Sequence, residues 1–331
     1  MDIQIITQHK IFKEEAFFPQ CHASTLVRMK NDALVCAWFG GTHEKHDDVA
    51  IWYSVCKDGQ WTDPKIACDT PNIPCWNPVL FSPDQEQILL YFKSGKNTKV
   101  WKTYISSYDA EKDTWGPIKE LVEGDIGGRG PVKNKPIRLS DGKVIAPASI
   151  ETADAWDAYV DISYDDGYTY KDFFKVPLDR SKLHGKGVIQ PTLWESSPGR
   201  VHMLLRSSEG FIYRSDSSDY GMTWCEAYPI DIPNNNSGID LTRLEDGTLL
   251  LLCNPVGENW GKRTPLSLFS SCDNGFTWTE EVVIEHDEVN ENPEFSYPAI
   301  ISCENQVYAS YTWNRKSVAF VRLTVQKSSG S

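Results

Sequence analysis

The chain has 331 residues, 40% of them hydrophobic and 24% charged, with a formal net charge of −13. This composition describes a globular protein and excludes a chain that stays disordered. No run approaches the ~18 apolar residues of a membrane helix, and the acidic balance argues against nucleic acid or an anionic membrane as partner, since both reward a basic face.

Met1 to Gln4 lack the basic and apolar segments of an export signal. Nine cysteines, an odd number, are spread singly with no CxxC pair, and Cys36 and Cys253 fall inside apolar runs. That pattern predicts buried reduced thiols and a cytoplasmic setting rather than a disulfide scaffold. Residues 327–331 read as a linker-like tail, which leaves 1–326 as one folded domain.

Along the chain, strand-like apolar runs recur at 33–39, 88–92, 143–146, 201–205, 249–253 and 307–311, and no amphipathic helical stretch interrupts them. Between them runs a second ladder. Ser163, Asp165, Gly167, Thr169 and Tyr170 form a motif that returns as Ser217, Asp219, Gly221, Thr223 and Trp224, and again as Ser271, Asp273, Gly275, Thr277 and Trp278. Looser copies end at Trp61 and Trp115, so the closing aromatics lie 54, 55, 54 and 54 residues apart. Six copies of a unit of this length predict an all-β fold, a six-bladed β-propeller with four antiparallel strands per blade. The last copy is short of strands, so a strand near Asp2–Gln8 is expected to complete it and close the ring. The motif aspartates are read as turn-holders, with Gly for positive φ and the aromatic for packing between blades.

Candidate site residues follow from position within the repeat. Segments entering the innermost strands bring His22, Asn77, Lys135, Gln190, Asp240 and Tyr297 around one axis. Ends of the second strands add Lys93, Ser149, Arg206 and Asn254, and Arg263 lies in the following passage. The Arg and Lys groups would make a cationic pocket suited to a carboxylate. A glycine-led loop, Gly40 to Asp48, carries Glu44, Asp47, Asp48, His43 and His46 and should overhang the cleft. Neither a metal nor a cofactor is expected, because no tight ligand spacing is present.

On these motifs, and on His22-Ala23, Trp76-Asn77-Pro78, Asn134-Lys135-Pro136, Asn236 to Asp240 and Phe295 to Pro298, the chain resembles the sialidase (neuraminidase) superfamily, in particular its bacterial BNR-repeat members. The resemblance covers essentially the whole chain. It implies Tyr297 as nucleophile, Asp47 or Asp48 as acid/base, and Arg206 and Arg263 as two members of a three-arginine carboxylate clamp. Two positions depart from that pattern. His22-Ala23 stands where the first arginine belongs, and Gln190 stands where a glutamate should activate the tyrosine. A neutral glutamine cannot take the phenol's proton.

Three functions are therefore open. One is an exo-acting hydrolase for a sugar bearing a carboxylate, such as sialic acid, another ulosonic acid or a uronic acid. Here Asp47 is the acid, Tyr297 the nucleophile or stabiliser, and His22 a contact or second acid/base. Another is a lyase that eliminates across a uronic acid using Tyr297 and His22. The third is a carbohydrate-binding propeller without catalysis. The expected partner is a small or oligosaccharide ligand, anionic in each enzymatic reading.

Overall fold

In the computed structural model, which describes residues 1–326, the chain folds into six antiparallel sheets arranged as blades. The tail assigned to 327–331 lies outside the described residues. Blade 1 runs Gln20–Arg28, Leu34–Gly41, Ala50–Lys57 and the short outer pieces Gln60–Trp61 and Lys65–Cys68. Blade 2 begins at Cys75–Phe81, blade 3 at Ile137–Arg138, blade 4 at Val188–Ser197, blade 5 at Asp240–Arg243 and blade 6 at Phe295–Cys303. Among the described residues the one helical segment is a single 3-10 turn, Arg180–Lys182.

The ring closes as the repeat count requires. The strand Asp2–Lys10 pairs with Ser317–Gln326 and supplies the outer edge of blade 6. The latch extends two residues beyond the expected Gln8, and a register shift lies between Ile5 and Thr7.

The core is not central. Six buried apolar clusters occupy the six seams between adjacent blades. Each closing aromatic packs back onto the preceding blade. Trp61 joins the seam of blades 6 and 1, Trp115 that of 1 and 2, and Tyr170 that of 2 and 3. Trp224 and Trp278 repeat this for the next two seams. Burying each large apolar side chain contributes about 1.5–3 kcal/mol, so the seams carry much of the favourable term.

The aspartate motif is a turn-holder in all three clear copies. Ser217 Oγ accepts from Gly221 N at 2.9 Å, and Asp219 accepts from Thr223 N at 2.8 Å and from Thr223 Oγ1 at 2.6 Å. Ser163 with Asp165 and Ser271 with Asp273 repeat the pattern. These carboxylates sit on outer hairpins, away from any shared site. All nine cysteines are free and six of them are buried.

Gly221 shows why the turn needs glycine. Its φ is +85°, and a Cβ there would lie 2.4 Å from Ile145 Cδ1 of blade 3. Gly221→Ala should lower stability by about 2 kcal/mol, through both backbone strain and seam overpacking. Urea unfolding of the variant beside the parent measures it.

Candidate functional site

Each blade breaks its inner strand at the same level. In blades 1, 2, 4 and 6 a register shift interrupts the first ladder, after His22, Trp76, Ile189 and Ser296. One residue per blade there has positive φ: Ala23, Asn77, Lys133, Gln190, Asn236 and Tyr297. Left-handed conformations are costly for residues other than glycine and gather where function demands them. The six equivalent positions correct the sequence alignment in three blades. Ala23 replaces His22, where the bulge falls one residue later within the strand, and Lys133 replaces Lys135 and Asn236 replaces Asp240, because in blades 3 and 5 extra residues separate the bulge from the inner strand.

Above this level lies a cavity of about 340 Å³. Of the residues expected in the site, His22, Asn77, Gln190, Arg206, Arg263 and Tyr297 line it. The remaining six lie elsewhere. Lys93 is fully buried and donates to Thr103 Oγ1 and Arg129 O. Asn254 donates to Pro265 O and Phe295 O, a stitch between blades 5 and 6. Asp47 pairs with Lys96, and Asp48 bonds Thr42 and His46; both are about half exposed, and neither lines the cavity. Lys135 and Asp240 bridge blades 3 and 5 at 2.9 Å.

Glu44, from the loop expected to overhang the cleft, also lines the cavity, as do Arg315 and Glu151, which sequence position missed. Arg315 lies in the hairpin between Gln306–Trp313 and Ser317–Gln326, where the chain offers no repeat signal. It brings the count of lining arginines to three.

Glu294 organises two of the three. Its carboxylate accepts from Arg263 Nη1 at 2.6 Å and from Arg315 Nε at 2.9 Å. Burial pushes the Glu294 carboxyl upward, but Arg263 and Arg315 outweigh it and hold it below the usual range. Glu44 accepts from Arg315 Nη1 at 2.7 Å. Arg206 is held differently, by Asn236 Oδ1 at Nε and by Gln190 Oε1 and Tyr297 Oη at Nη1.

Tyr297 therefore has an arginine at its oxygen, 2.5 Å away, and no carboxylate. The amide oxygen of Gln190 shares that arginine nitrogen. His22 lies beside the tyrosine, with ring centroids 4.2 Å apart. Burial, followed by the fields of Arg315, Arg263 and Arg206, holds His22 well below the ordinary histidine value, so it is neutral. Its Nε2 faces Arg315 Nη2 at 3.5 Å and must accept, which places the proton on Nδ1, facing Thr312 Oγ1 at 2.9 Å.

Four tryptophans form the walls. Trp76 meets Trp101 edge-on at 5.8 Å, and Trp156 meets Trp260 edge-on at 6.2 Å. Trp260 is 62% exposed at the rim. Cationic groups beside aromatic faces suit an anionic ring with apolar C–H surfaces.

The floor is a cross-axis polar plug. Lys133 Nζ donates to Ile239 O at 2.9 Å, to Asn134 Oδ1 and to Pro298 O. Burial pushes its ammonium down to about 7. Asp240 accepts from Lys135, Thr192 Oγ1 and the backbone N–H groups of Leu241 and Ile300.

A sequence profile described as a BNR repeat-like domain matches residues 32–309. No curated protein matches the chain by sequence. Among solved structures, the fold is similar to that of an unknown-function protein from Dyadobacter fermentans, at 17% identity and TM-score 0.77, covering 98% of this chain and 99% of that one. It is also similar to the Hadza microbial sialidase Hz136, at 14% identity and TM-score 0.79, over 96% and 68% of the two chains. Trypanosoma rangeli sialidase, at 16% identity and TM-score 0.73, is covered over 59% of its length by 96% of this chain.

Burial pushes the Asp240 carboxyl upward, yet Lys135 and Lys133 outweigh it and hold it below the usual range. A depressed carboxyl stabilises the fold above its unfolded value near ~3.9 and loses that contribution as pH falls through the folded value. Asp240→Asn should cost about 3 kcal/mol at neutral pH, since it strands buried lysines. The gap from wild type should close below about pH 4, as measured by denaturant unfolding across pH.

Proposed function

The chain belongs to the BNR repeat-like family, and on that premise we propose that it is an exo-acting glycoside hydrolase that removes a terminal sugar bearing a carboxylate. Sialic acid, a related ulosonic acid and a uronic acid share the required chemistry. One observation carries the reading: three guanidinium groups, Arg206, Arg263 and Arg315, come from three blades to line one tryptophan-walled cavity. In a protein of net charge −13, such a concentration of fixed cations is local and directed.

The arginines hold the sugar carboxylate through charge-assisted hydrogen bonds. Among the described residues Arg206 Nη2 and Arg263 Nη2 have no hydrogen-bond partner, which leaves them available to the carboxylate. Tyr297 lies against this clamp, with its oxygen already accepting from Arg206. There it can stabilise or attack the positive anomeric carbon as the glycosidic bond breaks. Arg206, rather than a carboxylate, is the charged group hydrogen-bonded to the tyrosine oxygen. The solved relatives named as sialidases support the same reading at the level of fold.

Elimination is the second reading, and the His22–Tyr297 pair favours it. A neutral imidazole can take the proton α to a uronate carboxylate whose charge the arginines offset. Tyr297 would then protonate the departing oxygen as the C–O bond breaks, leaving a C=C bond in the product.

Incubation with sialosides and uronic-acid-terminated oligosaccharides, followed by mass spectrometry, separates the two. Hydrolysis yields a sugar that has gained water, and elimination yields an unsaturated, ultraviolet-absorbing one. Arg206→Ala and Arg263→Ala should each lower kcat/KM by roughly 10- to 100-fold, equivalent to ~1.5–3 kcal/mol for a hydrogen bond to a charged group. No turnover of either class by the wild type overturns both readings.

A further inference from the structure

We propose that Glu151, on blade 3, is the residue that protonates the leaving glycosidic oxygen. The assignment rests on the hydrolase reading. It departs from the acid expected in the blade 1 loop.

Two carboxylates line the cavity, Glu44 and Glu151. They differ in one respect that decides which can act. Glu44 is bonded to the guanidinium of Arg315 at 2.7 Å, so its carboxylate is already engaged as an acceptor within the protein. Among the described residues, Glu151 makes neither a hydrogen bond nor an ion pair, and its carboxyl is the one unengaged acid at the cavity wall. Asp47, tied to Lys96 and about half exposed, lies outside the cavity.

Glu151 is also well placed. It closes the strand Val144–Glu151 and stands directly opposite Trp156 across the hairpin. The turn between them is fixed by three hydrogen bonds between Thr152 and Ala155, each 2.9 Å. Trp156 in turn stands 5.6 Å from the Arg206 guanidinium, the group that holds Tyr297. A rigid hairpin thus presents an acid on the same wall as the clamp. Burial raises the Glu151 carboxyl above the ordinary glutamate value, although Arg206 and Lys186 oppose it, and this keeps a proton on the acid closer to neutrality.

The step balances. As the anomeric C–O bond breaks, its electron pair goes to the leaving oxygen, which takes the Glu151 proton. Water then supplies the hydroxyl of the freed sugar acid, and the ionised Glu151 takes the proton that the water loses.

The test compares aryl and alkyl glycosides of the same sugar acid, N-acetylneuraminate and glucuronate in turn, using wild type, Glu151→Gln and Asp47→Asn. A 4-methylumbelliferyl leaving group needs little protonation, whereas a sugar alcohol needs it fully. Glu151→Gln should lose on the order of 10²-fold or more on the alkyl-linked glycoside and stay within about tenfold of wild type on the aryl one. It should also lose the alkaline limb of the wild-type pH profile, which reports an acid that must be protonated. Asp47→Asn should match wild type on both substrates. An unchanged thermal midpoint, together with unchanged binding of the free sugar acid, shows that the variant is folded with its clamp intact.

If the wild type cleaves both glycosides and Glu151→Gln shows no such selectivity, the assignment falls while the hydrolase reading stands. A selective loss in Asp47→Asn instead overturns it in favour of the blade 1 loop. If the wild type hydrolyses neither glycoside, both fall together.

Discussion

Six edge strands converge on the propeller axis, and none of them has a further strand to pair with. Buried backbone N–H and C=O groups must nevertheless find partners, so side chains of neighbouring blades supply them. Thr25 accepts from Leu80 N, Thr192 from Leu241 N, Asp240 from Ile300 N, and Thr312 from Ala23 N. Asn134 donates to the carbonyls of Gln190 and Pro191. Lower on the axis this requirement produces the plug of Lys133, Lys135 and Asp240. Higher up, where the ladder breaks, the chain turns through left-handed residues and points Asn77, Gln190 and Tyr297 into open space. The floor and the cavity are two answers to one constraint.

The electrostatics of the cavity follow from that arrangement. Glu294, set behind the site, orients Arg263 and Arg315 without facing the cavity itself. Arg206 is oriented by neutral acceptors, so it keeps its full charge beside Tyr297. Gln190 belongs to this scheme. A glutamate in its place would pair with Arg206, whereas the amide leaves that guanidinium without a carboxylate partner.

The sequence announces the scaffold because the Ser-x-Asp-x-Gly-x-Thr turn has a fixed length and must recur once per blade. Residues tied to that register could be placed from it: Arg206 stands opposite Ile189, next to the bulged Gln190 that it bonds, and Tyr297 repeats the position of Asn77. Lys135 and Asp240 pair with each other below the bulge, since blades 3 and 5 carry extra residues between bulge and strand. Lys93 and Asn254 share the offset of Arg206 yet turn to backbone carbonyls. Arg315 sits in a hairpin and Glu151 at the end of a strand leading into one, where periodicity says nothing, and Glu44 could be placed only as part of its loop. Their role becomes visible only when blades 1, 3 and 6 are brought face to face.

The latch between Asp2–Lys10 and Ser317–Gln326 governs when the molecule can work, as well as its shape. His22 meets Arg315 across 293 intervening steps of chain, and Tyr297 meets Arg206 across 91. During synthesis the early blades can form, each with one apolar flank still bare, but no cavity exists until the final hairpin has emerged. Folding of this kind is dominated by distant contacts, which are slow to form, and incomplete chains expose adhesive surfaces meanwhile. A chain truncated before its last blade would therefore lack the cavity altogether, rather than carry a weakened form of it.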